Sequence, residues 1–346
     1  RPRDYLDFPA FAAWMARRMP RRAKVSNAPQ AVAEVAYEDL GPAREEVRLF
    51  KEALGRLSAR PAETFMTAAS PGIIATTLLN AHYDSYEAYV FALAREMRKE
   101  YELIARDFIL QIDAPDLAME RTVLFADKSV AEFVKIAEMH VAALNEALAG
   151  IAPERVRLHC CWGNYDGPHL FDIALSKVLP VFLQAKVGAL SIEFANPRHQ
   201  HEYAAIKANP LPSHMLLIPG VLDTTTNFVE HPEVVARRLE EAVATVGDKE
   251  RVIGDDANLI RRFPALRGRV FGVAMTADGK WAAACSSLDG AGQVRVYKFA
   301  FEAELPVEIK TISEKQINRR TPAELKKLAD YATKSVNQVA EFNTDS

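Results

Sequence analysis

A histidine and a cysteine two positions apart, His159 and Cys161, have the residue types and spacing of metal ligands. They follow a short apolar run, residues 156–158, that is typical of a buried strand. Alternate side chains of an extended chain point to the same side, so this imidazole and this thiolate could bind one zinc ion. Cys160 would point the other way and pack as a small apolar side chain. The alternative for the group is packing at a strand end without a metal.

Three carboxylates, Glu193, Asp113 and Asp223, each follow another apolar run. Glu193 would project towards the His–Cys pair from a neighbouring strand, or it could form an ion pair with Arg198. Asp113 could act as an acid or anchor an amine or hydroxyl group. Asp223 lies in a loop with more hydroxyl side chains than a simple connection needs. We therefore expect the carboxylates and the His–Cys pair to share one site.

Polar side chains near these carboxylates are candidates for binding a small molecule. Ser70 follows a strand-like run in a turn of small residues, whose backbone amides could face an anion. Asp116 could anchor a ligand or cap a helix, and Thr225 and Asn227 could likewise cap the helix that follows them. The candidate substrate-binding residues are Ser70, Asp116, Trp162, Asn164, Asn196, Thr225 and Asn227.

The other histidines are expected to support the structure. His199 and His201 also lie two positions apart, but the start of a helix would turn their side chains away from each other, so we expect loop residues behind the site rather than ligands. The remaining histidines are isolated in the sequence, and we expect them to be structural: His82, His140, His169, His214 and His231.

Apolar runs alternate with helical segments between residues 31 and 254, and this predicts repeated βα units. The runs are nearly continuous in apolar character, as in parallel strands buried on both faces. Several units in one domain, without a GxGxxG motif, favour a TIM-type (β/α)8 barrel whose site lies at the carboxyl ends of its strands. The strand-like runs are 32–37, 64–69, 108–112, 156–158, 189–194, 215–218 and 251–253; the helical segments are 85–106, 129–149 and 230–246.

The pattern changes after residue 254. Short β-type runs separated by Asp-Gly turn signals indicate a β-meander: 271–275, 281–285 and 294–297. A final amphipathic helix, 321–342, begins at a Thr-Pro-Ala-Glu cap. The predicted organisation is a basic N-terminal segment, 1–30, the barrel, 31–254, and the meander with its helix, 255–346.

The composition excludes several classes of partner. Lys and Arg total 43 and Asp and Glu total 46, so the net charge of -3 offers no general attraction for nucleic acid or an anionic membrane surface. Apolar stretches are much shorter than the roughly 20 residues of a membrane span. Three cysteines, two of them adjacent, argue against a disulfide framework and favour a reducing compartment, so we expect a cytoplasmic protein. The sequence does not indicate an oligomeric state.

Five ordered blocks resemble the cobalamin-independent methionine synthase superfamily, in particular the branch related to epoxyalkane:coenzyme M transferase. The resemblance extends over about residues 31–254. The blocks are FMTAASPG at 65–72, LQIDAPDLA at 110–118, HCCWGNY at 159–165, EFANPRH at 193–199 and IPGVLD at 218–223. The tail beyond residue 270 resembles one blade of a WD-repeat propeller.

This resemblance implies a zinc-dependent transferase that moves an alkyl or methyl group onto a small-molecule thiol from an alkyl donor. Its zinc ligands map onto His159, Cys161 and Glu193. Asp113 matches the aspartate of an Asp-x-Pro block near the donor, and Asp223 matches that of a Pro-Gly-Val loop. A zinc-bound thiol loses its proton near neutral pH and becomes a nucleophile.

The chain departs from the superfamily pattern in three places. Thr225 replaces a histidine of the methionine synthases, and Ala257 replaces the last zinc cysteine. The two opening strands of the barrel are not recognisable, which leaves about six of its eight strands. The alternative is therefore a catalytically inactive, degenerate or chimeric barrel that binds a small molecule or a partner.

Overall fold

The structure, a computed structural model, describes residues 3–18, 28–56, 61, 63–226, 230–253, 269–275, 280–288, 291–299, 306–313, 315, 319–334 and 336–344. The chain divides into two compact units. One comprises Arg1–Glu45 and Glu63–Gly254, and the other comprises Glu46–Ala62 and Asp255–Ser346. The domain limits expected after residues 30 and 254 stay predictions.

Helices and strands alternate through the first part of the chain, as the βα pattern predicts. They are α1 (Arg3–Asp7), α2 (Pro9–Arg18), β1 (Gln30–Ala31), α3 (Gly41–Gly55), β2 (Phe65–Ala69), α4 (Pro71–Thr77), β3 (Leu79–Asn80), α5 (Tyr86–Ala105), β4 (Ile109–Asp113), α6 (Val130–Ala147), β5 (Val156–Cys160), α7 (Leu175–Phe182), β6 (Ala189–Glu193), α8 (Tyr203–Ala208), β7 (Leu216–Gly220) and α9 (Pro232–Val246).

A parallel sheet of five strands, in the order β2-β4-β5-β6-β7, forms the core of the first unit. Burial alternates along β4, β5 and β7: Leu110 and Ile112 of β4 are fully buried, whereas Gln111 and Asp113 are partly exposed. The expectation of strands buried on both faces is therefore wrong for this sheet. A helix-covered apolar face and a partly exposed polar face explain the alternation.

The sheet is an incomplete TIM-type barrel, which confirms the predicted fold class. Among the described residues its edges are β2 and β7, and beyond β7 there is a single parallel bridge between Leu217 and Val252. The predicted strand at 251–253 is thus limited to that bridge, because a 3-10 turn, Lys249–Arg251, occupies the preceding residues.

The predicted strand at 32–37 is also wrong. Its backbone amides bind side chains instead of a neighbouring strand: Val35 N donates to Tyr83 Oη (2.8 Å) and Tyr37 N to Glu96 Oε2 (2.6 Å). Val32 is 75% exposed, so the run lacks the buried apolar face of a strand. Strand β1, which directly precedes this run, pairs with β3.

Local capping sets the ends of the long helices. Ser85 accepts a hydrogen bond at the N-terminus of α5, and Ser129 forms a capping box with Glu132 at the start of α6. Gly247 ends α9 in the left-handed conformation (φ 78°). The three predicted helical segments are confirmed. None of the described helices combines the length and apolar character that a membrane span requires.

The second unit contains an antiparallel sheet in the order β11-β10-β9-β8. Its later elements are β8 (Arg269–Met275), β9 (Trp281–Leu288), β10 (Ala291–Phe299), α10 (Val307–Ser313), α11 (Pro322–Thr333) and β11 (Val336–Thr344). The predicted meander is confirmed. The final helix does begin at Thr321 but ends at Thr333, and the rest of the predicted helix is strand because β11 pairs with β10.

We expect Gly72→Ala to destabilise the protein. Gly72 lies in the first turn of α4, and an added Cβ would overlap the side chains of Asp116 and His140. Overpacking of this kind costs about 1–3 kcal/mol, so thermal unfolding should shift several degrees downwards. Gly55→Ala is the matched control, because nothing lies within 4 Å of its added Cβ. Equal melting temperatures for the two variants would contradict this expectation.

Candidate functional site

The candidate catalytic and metal-binding residues lie at the carboxyl edge of the parallel sheet. Asp113 ends β4 and is paired in register with His159 of β5. Cys161 follows β5 directly, and Glu193 ends β6 opposite Gly220 of β7. Asp223 lies in the loop after β7. Parallel pairing thus brings residues from four distant parts of the chain to one edge.

Asp113 is held by a hydrogen-bonded chain on the exposed face of the sheet. Gln111 Nε2 donates to Asp113 Oδ1 (2.8 Å), and Arg157 Nε donates to Gln111 Oε1 (2.7 Å). The guanidinium of Arg157 also lies 3.3 Å from the centre of the Phe65 ring. This arrangement fixes the orientation of the Asp113 carboxylate beside His159.

Burial keeps the imidazole of His159 neutral. It lowers the pKa of His159, and the opposing charge of Asp113 only partly offsets this effect. A neutral imidazole has a lone pair that can bind a metal or accept a proton. His159 therefore has the protonation state that either role requires.

Burial also raises the pKa of the Cys161 thiol, and the negative charges of Asp113, Glu193 and Asp172 raise it further. A hydrogen bond with the backbone of Gly163 acts in the opposite direction. The thiol is therefore neutral near pH 7, and a nearby cation would favour its thiolate.

Glu193 stabilises the turn that follows β6. Its Oε1 accepts hydrogen bonds from the backbone amides of Ala195 and Asn196, the second at 2.7 Å. Burial raises the pKa of Glu193, with a further contribution from the charge of Asp223. The alternative ion pair with Arg198 is absent from the described residues, since the Nε of Arg198 donates to the backbone carbonyl of His169 (3.1 Å).

The three candidate ligands suit zinc in their chemistry but not in their arrangement. Within the described ranges, no three His, Cys, Asp or Glu side chains come together in a group that could hold a metal ion. The carboxylate of Glu193 is already engaged with backbone amides. Ala257 and its acidic neighbours Asp255 and Asp256 lie outside the described residues, as does the side chain of Cys285. Zinc therefore stays a prediction from the resemblance.

Two candidate substrate-binding residues, Ser70 and Asp116, belong to a buried polar network. Ser70 Oγ donates to Asp116 Oδ1 and also caps α4. Asp116 Oδ2 binds His140 Nδ1 (2.9 Å), and His140 Nε2 binds the Tyr86 hydroxyl (3.0 Å). The serine contacts the aspartate rather than the histidine, so this order differs from that of a hydrolase triad. A substrate-binding role for Ser70 and Asp116 stays a prediction.

Glu120 extends this buried region and was not recognised from the sequence. It is 4% exposed and accepts a hydrogen bond from the backbone of Leu124 (3.0 Å). Burial raises its pKa to about 7, with a further contribution from Asp116. No spacing or motif distinguishes Glu120, because its burial results from the packing of α4 and α6 over the β4 loop.

The loop after β7 contacts the loop after β5. Asn164 and Thr224 exchange side-chain hydrogen bonds (3.0 and 3.2 Å), and Thr225 donates to Asp223 through its hydroxyl (2.6 Å) and its backbone amide (2.9 Å). Asn196 Oδ1 accepts from the backbone of Arg198 (2.8 Å). Asn227 lies outside the described residues.

Sequence reasoning missed a group of four buried side chains behind this edge: His169, Asp172, His199 and Glu202. Asp172 Oδ2 binds both His169 Nδ1 (2.8 Å) and His199 Nε2 (2.9 Å), and Glu202 Oε2 binds His199 Nδ1 (3.0 Å). Trp162, a candidate substrate-binding residue, is 2% exposed and stacks on His199. His199 lies in a recognised block, but Asp172 and Glu202 carry no sequence signal.

The N-terminal helices α1 and α2 pack against the loop after β5. Tyr165 donates its hydroxyl hydrogen to Asp4 Oδ2 (3.0 Å) of α1, and its ring stacks with Phe11 of α2. Asp4 is 2% exposed. The expected basic N-terminal segment thus contributes two helices to the packing of the first unit.

Comparison with known proteins finds similar sequences. No family model matches the chain. The methionine synthase of Thermococcus kodakarensis is 27% identical over 191 residues, which are 55% of this chain and 48% of that protein. The 2-hydroxypropyl-CoM lyase of Xanthobacter autotrophicus is 23% identical over 237 residues, covering 60% of this chain and 58% of that protein. Both matches support the resemblance to the cobalamin-independent methionine synthase superfamily.

A solved structure supports the fold of this chain. A B12-independent methionine synthase from Shewanella sp. W3-18-1, in complex with selenomethionine, superposes with a TM-score of 0.51 at 19% identity. The superposition covers 66% of this chain and 62% of that one. The chain spans about half the length of the curated relatives it matches. The resemblance found in the sequence is confirmed for the superfamily and its coenzyme M branch, whereas the propeller-blade resemblance stays a prediction.

We expect alkylating reagents to modify Cys161 and to spare its neighbour Cys160. Cys160 is fully buried, whereas Cys161 is partly exposed. Because the pKa of Cys161 is raised above its ordinary 9.0, its modification should be slow at pH 7 and accelerate into the alkaline range. Peptide mapping after iodoacetamide treatment, with Cys160→Ser and Cys161→Ser as controls, measures both rates. Comparable modification of Cys160 in the native protein would contradict this assignment.

Proposed function

We propose that the chain transfers an alkyl or methyl group from a small donor to a small-molecule thiol at the carboxyl edge of its parallel sheet. The relatives bear the names methionine synthase and 2-hydroxypropyl-CoM lyase, which supports this class of reaction. Because the chain covers about half of those proteins, the activity is our proposal for this chain and not an inherited property.

The convergence of charged side chains at one edge carries this proposal. The charges of Asp113 and Glu193 raise the pKa of the Cys161 thiol, and the charge of Asp223 raises the pKa of the Glu193 carboxyl group. The ends of β4, β5 and β6 and the β7 loop therefore share one electrostatic environment. Its negative charge suits a metal cation or an alkyl donor that carries a positive charge before transfer.

The two aspartates take different positions around this edge. Asp113 is oriented by Gln111 beside His159, and Asp223 is oriented by Thr225 in the β7 loop. We assign them to positioning the alkyl donor or protonating its leaving group. We assign neutral His159 to accepting the thiol proton, for which its lone pair is available.

Zinc is the cofactor that the resemblance implies, with His159, Cys161 and Glu193 as its ligands. Their donor types support it, but the described residues do not form a metal-holding group. Zinc binding by this chain is therefore a proposal that metal analysis tests.

A non-catalytic protein that binds a small molecule is the second candidate. It is favoured by Ala257, which stands where the superfamily has a zinc cysteine, and by the engagement of Glu193 with backbone amides. The two candidates differ in product formation: both would bind a thiol, but only the transferase would release a thioether.

Metal analysis tests the zinc assignment. If the zinc implied by the resemblance binds, protein purified in metal-free buffer and reloaded with zinc contains one zinc per chain, lost in Cys161→Ser and retained in Cys160→Ser. The reason is that Cys160 packs on the buried side of the sheet, away from the edge. Equal zinc content in the two variants would remove Cys161 from the site.

Product analysis tests the transfer itself. The full chain is incubated with coenzyme M or other small thiols and with an epoxyalkane or methyl donor, and thioethers are detected by mass spectrometry. Asp113→Asn and Asp223→Asn should each reduce the rate about 100-fold, as expected for loss of an acid or a positioning carboxylate. Asp127→Asn, whose side chain is 73% exposed, is the matched control. Thiol binding without any thioether would favour the non-catalytic candidate.

A further inference from the structure

We infer that His169 and His199 are both imidazolium cations, and that with Asp172 and Glu202 they form a buried clamp between the loops after β5 and β6. The clamp consists of these four residues. It holds the segment that follows Cys161 against the segment that follows Glu193, so its members are positioning residues for the candidate site. That role rests on the proposed function, whereas the ionisation of the histidines does not.

The hydrogen-bond partners of His199 require protons on both ring nitrogens. Its Nε2 lies 2.9 Å from Asp172 Oδ2, and its Nδ1 lies 3.0 Å from Glu202 Oε2. Ionised carboxylates only accept hydrogen bonds, so each nitrogen must donate. A neutral imidazole has one donor nitrogen and would leave one of these contacts without a hydrogen.

His169 has the same requirement. Its Nδ1 lies 2.8 Å from Asp172 Oδ2, and its Nε2 lies 3.0 Å from the backbone carbonyl of Tyr165, which is also only an acceptor. The clamp thus combines two imidazolium cations with two carboxylates and has no net charge. Neutral balance of this kind is what allows four ionised groups to be buried together.

The electrostatics of the clamp agree with this assignment. Burial alone would lower the pKa of His199, but its hydrogen bonds with Asp172 and Glu202 outweigh burial and raise that pKa to about 9. The pKa of His169 is also raised, and that of Asp172 is lowered by its two histidine partners despite burial. Glu193 is also influenced by the clamp, since the charge of His199 partly offsets the rise that burial causes in the pKa of Glu193.

Further contacts join the same two loops. The Trp162 ring stacks on His199 with centroids 4.1 Å apart, and its Nε1 donates to the Ile173 carbonyl (2.7 Å). Arg198 Nε donates to the carbonyl of His169 (3.1 Å). Glu202 Oε1 accepts from the backbone of Leu175 (2.7 Å) at the start of α7. The clamp is therefore the centre of a multiply connected junction.

The backbone at His169 is in an unfavourable conformation. Its φ of 51° lies in the left-handed region that non-glycine residues rarely adopt. The stacked ring of Tyr165, 4.0 Å away, and the bond to Asp172 hold it there. Such a conformation persists only where surrounding contacts determine it, and it is typical of functional regions.

The position of the clamp explains its effect on the site. Trp162 follows Cys161 directly in the chain, and His199 follows the turn that Glu193 stabilises. A shift of either loop would move the thiol relative to the carboxylate. Displacements near 1 Å at reacting groups can reduce rates by about 100-fold, so a rigid junction here has a direct consequence for transfer.

Nuclear magnetic resonance of ¹⁵N-histidine-labelled full-length chain tests the ionisation. At pH 7.5 we expect both ring nitrogens of His169 and His199 to have imidazolium shifts, assigned by His169→Gln and His199→Gln. The exposed His82 serves as the internal control. A neutral tautomer at either clamp histidine at this pH would overturn the inference.

The pH dependence of stability gives a second test. The folded-state pKa of His199, about 9, lies above its ordinary 6.5, so its contribution is complete below pH 6.5 and is lost as pH rises through about 9. The melting temperature should therefore fall over this interval in the native protein, and His199→Gln should reduce that fall. His82→Gln should leave it unchanged. An identical fall in His199→Gln and the native protein would contradict the clamp.

Amide hydrogen exchange tests the positioning role without relying on catalysis. In His199→Gln, residues 162–175 and 194–203 should both exchange faster, whereas α6 should not change. Acceleration in only one loop would show that the clamp does not couple them. Where thioether formation is observed, kcat should also fall about tenfold in His199→Gln and not in His82→Gln. Faster exchange in both loops of His199→Gln, with no thioether from the native protein, would support the clamp and reject the proposed function. Thioether formation with faster exchange in only one loop would support the proposed function and reject the clamp.

Discussion

Parallel pairing of β4, β5, β6 and β7 is the constraint on which the candidate site depends. Each crossover returns the chain to the same end of the sheet, so the carboxyl ends of successive strands lie side by side. Asp113 is in register with His159, and Glu193 is in register with Gly220 at the next strand. Because alternate side chains share a face, the partly exposed polar positions form one surface while Leu110, Leu158 and Ile192 pack beneath the helices. The site is therefore a consequence of strand register.

Charge compensation is the second theme of the first unit. At the edge of the sheet, the charges of Asp113 and Glu193 favour the neutral form of the Cys161 thiol, and the charge of Asp223 raises the pKa of Glu193. Behind that edge, the clamp pairs two histidines with two carboxylates and is electrically balanced. The negative charge at this edge is suited to receiving a cationic metal or donor, because the ligand would neutralise part of that charge.

The polar core also shows how residue types alone can mislead. Ser70, Asp116 and His140 are the residue types of a hydrolase triad, but the serine donates to the aspartate and all three are at most 2% exposed. Their contacts tie the start of α4 to the β4 loop and to α6. Gly72 permits this close approach, because any larger residue would occupy the space of the Asp116 carboxylate. A network of this kind contributes to the geometry of the sheet edge through packing, whatever its relation to substrate.

The sequence by itself determined the βα alternation, the long helices with their Ser85 and Ser129 caps, the resemblance to the superfamily, and the strand ends that carry His159, Glu193 and Asp113. These features depend on local periodicity and on motifs whose residues are close in the chain. Only the tertiary structure decided that residues 32–37 bind side chains and form no strand, that β11 replaces the end of the predicted last helix, and that His199 meets Asp172 and Glu202. Those outcomes depend on which distant groups form hydrogen bonds with each buried polar atom. Local sequence patterns do not indicate these long-range partners.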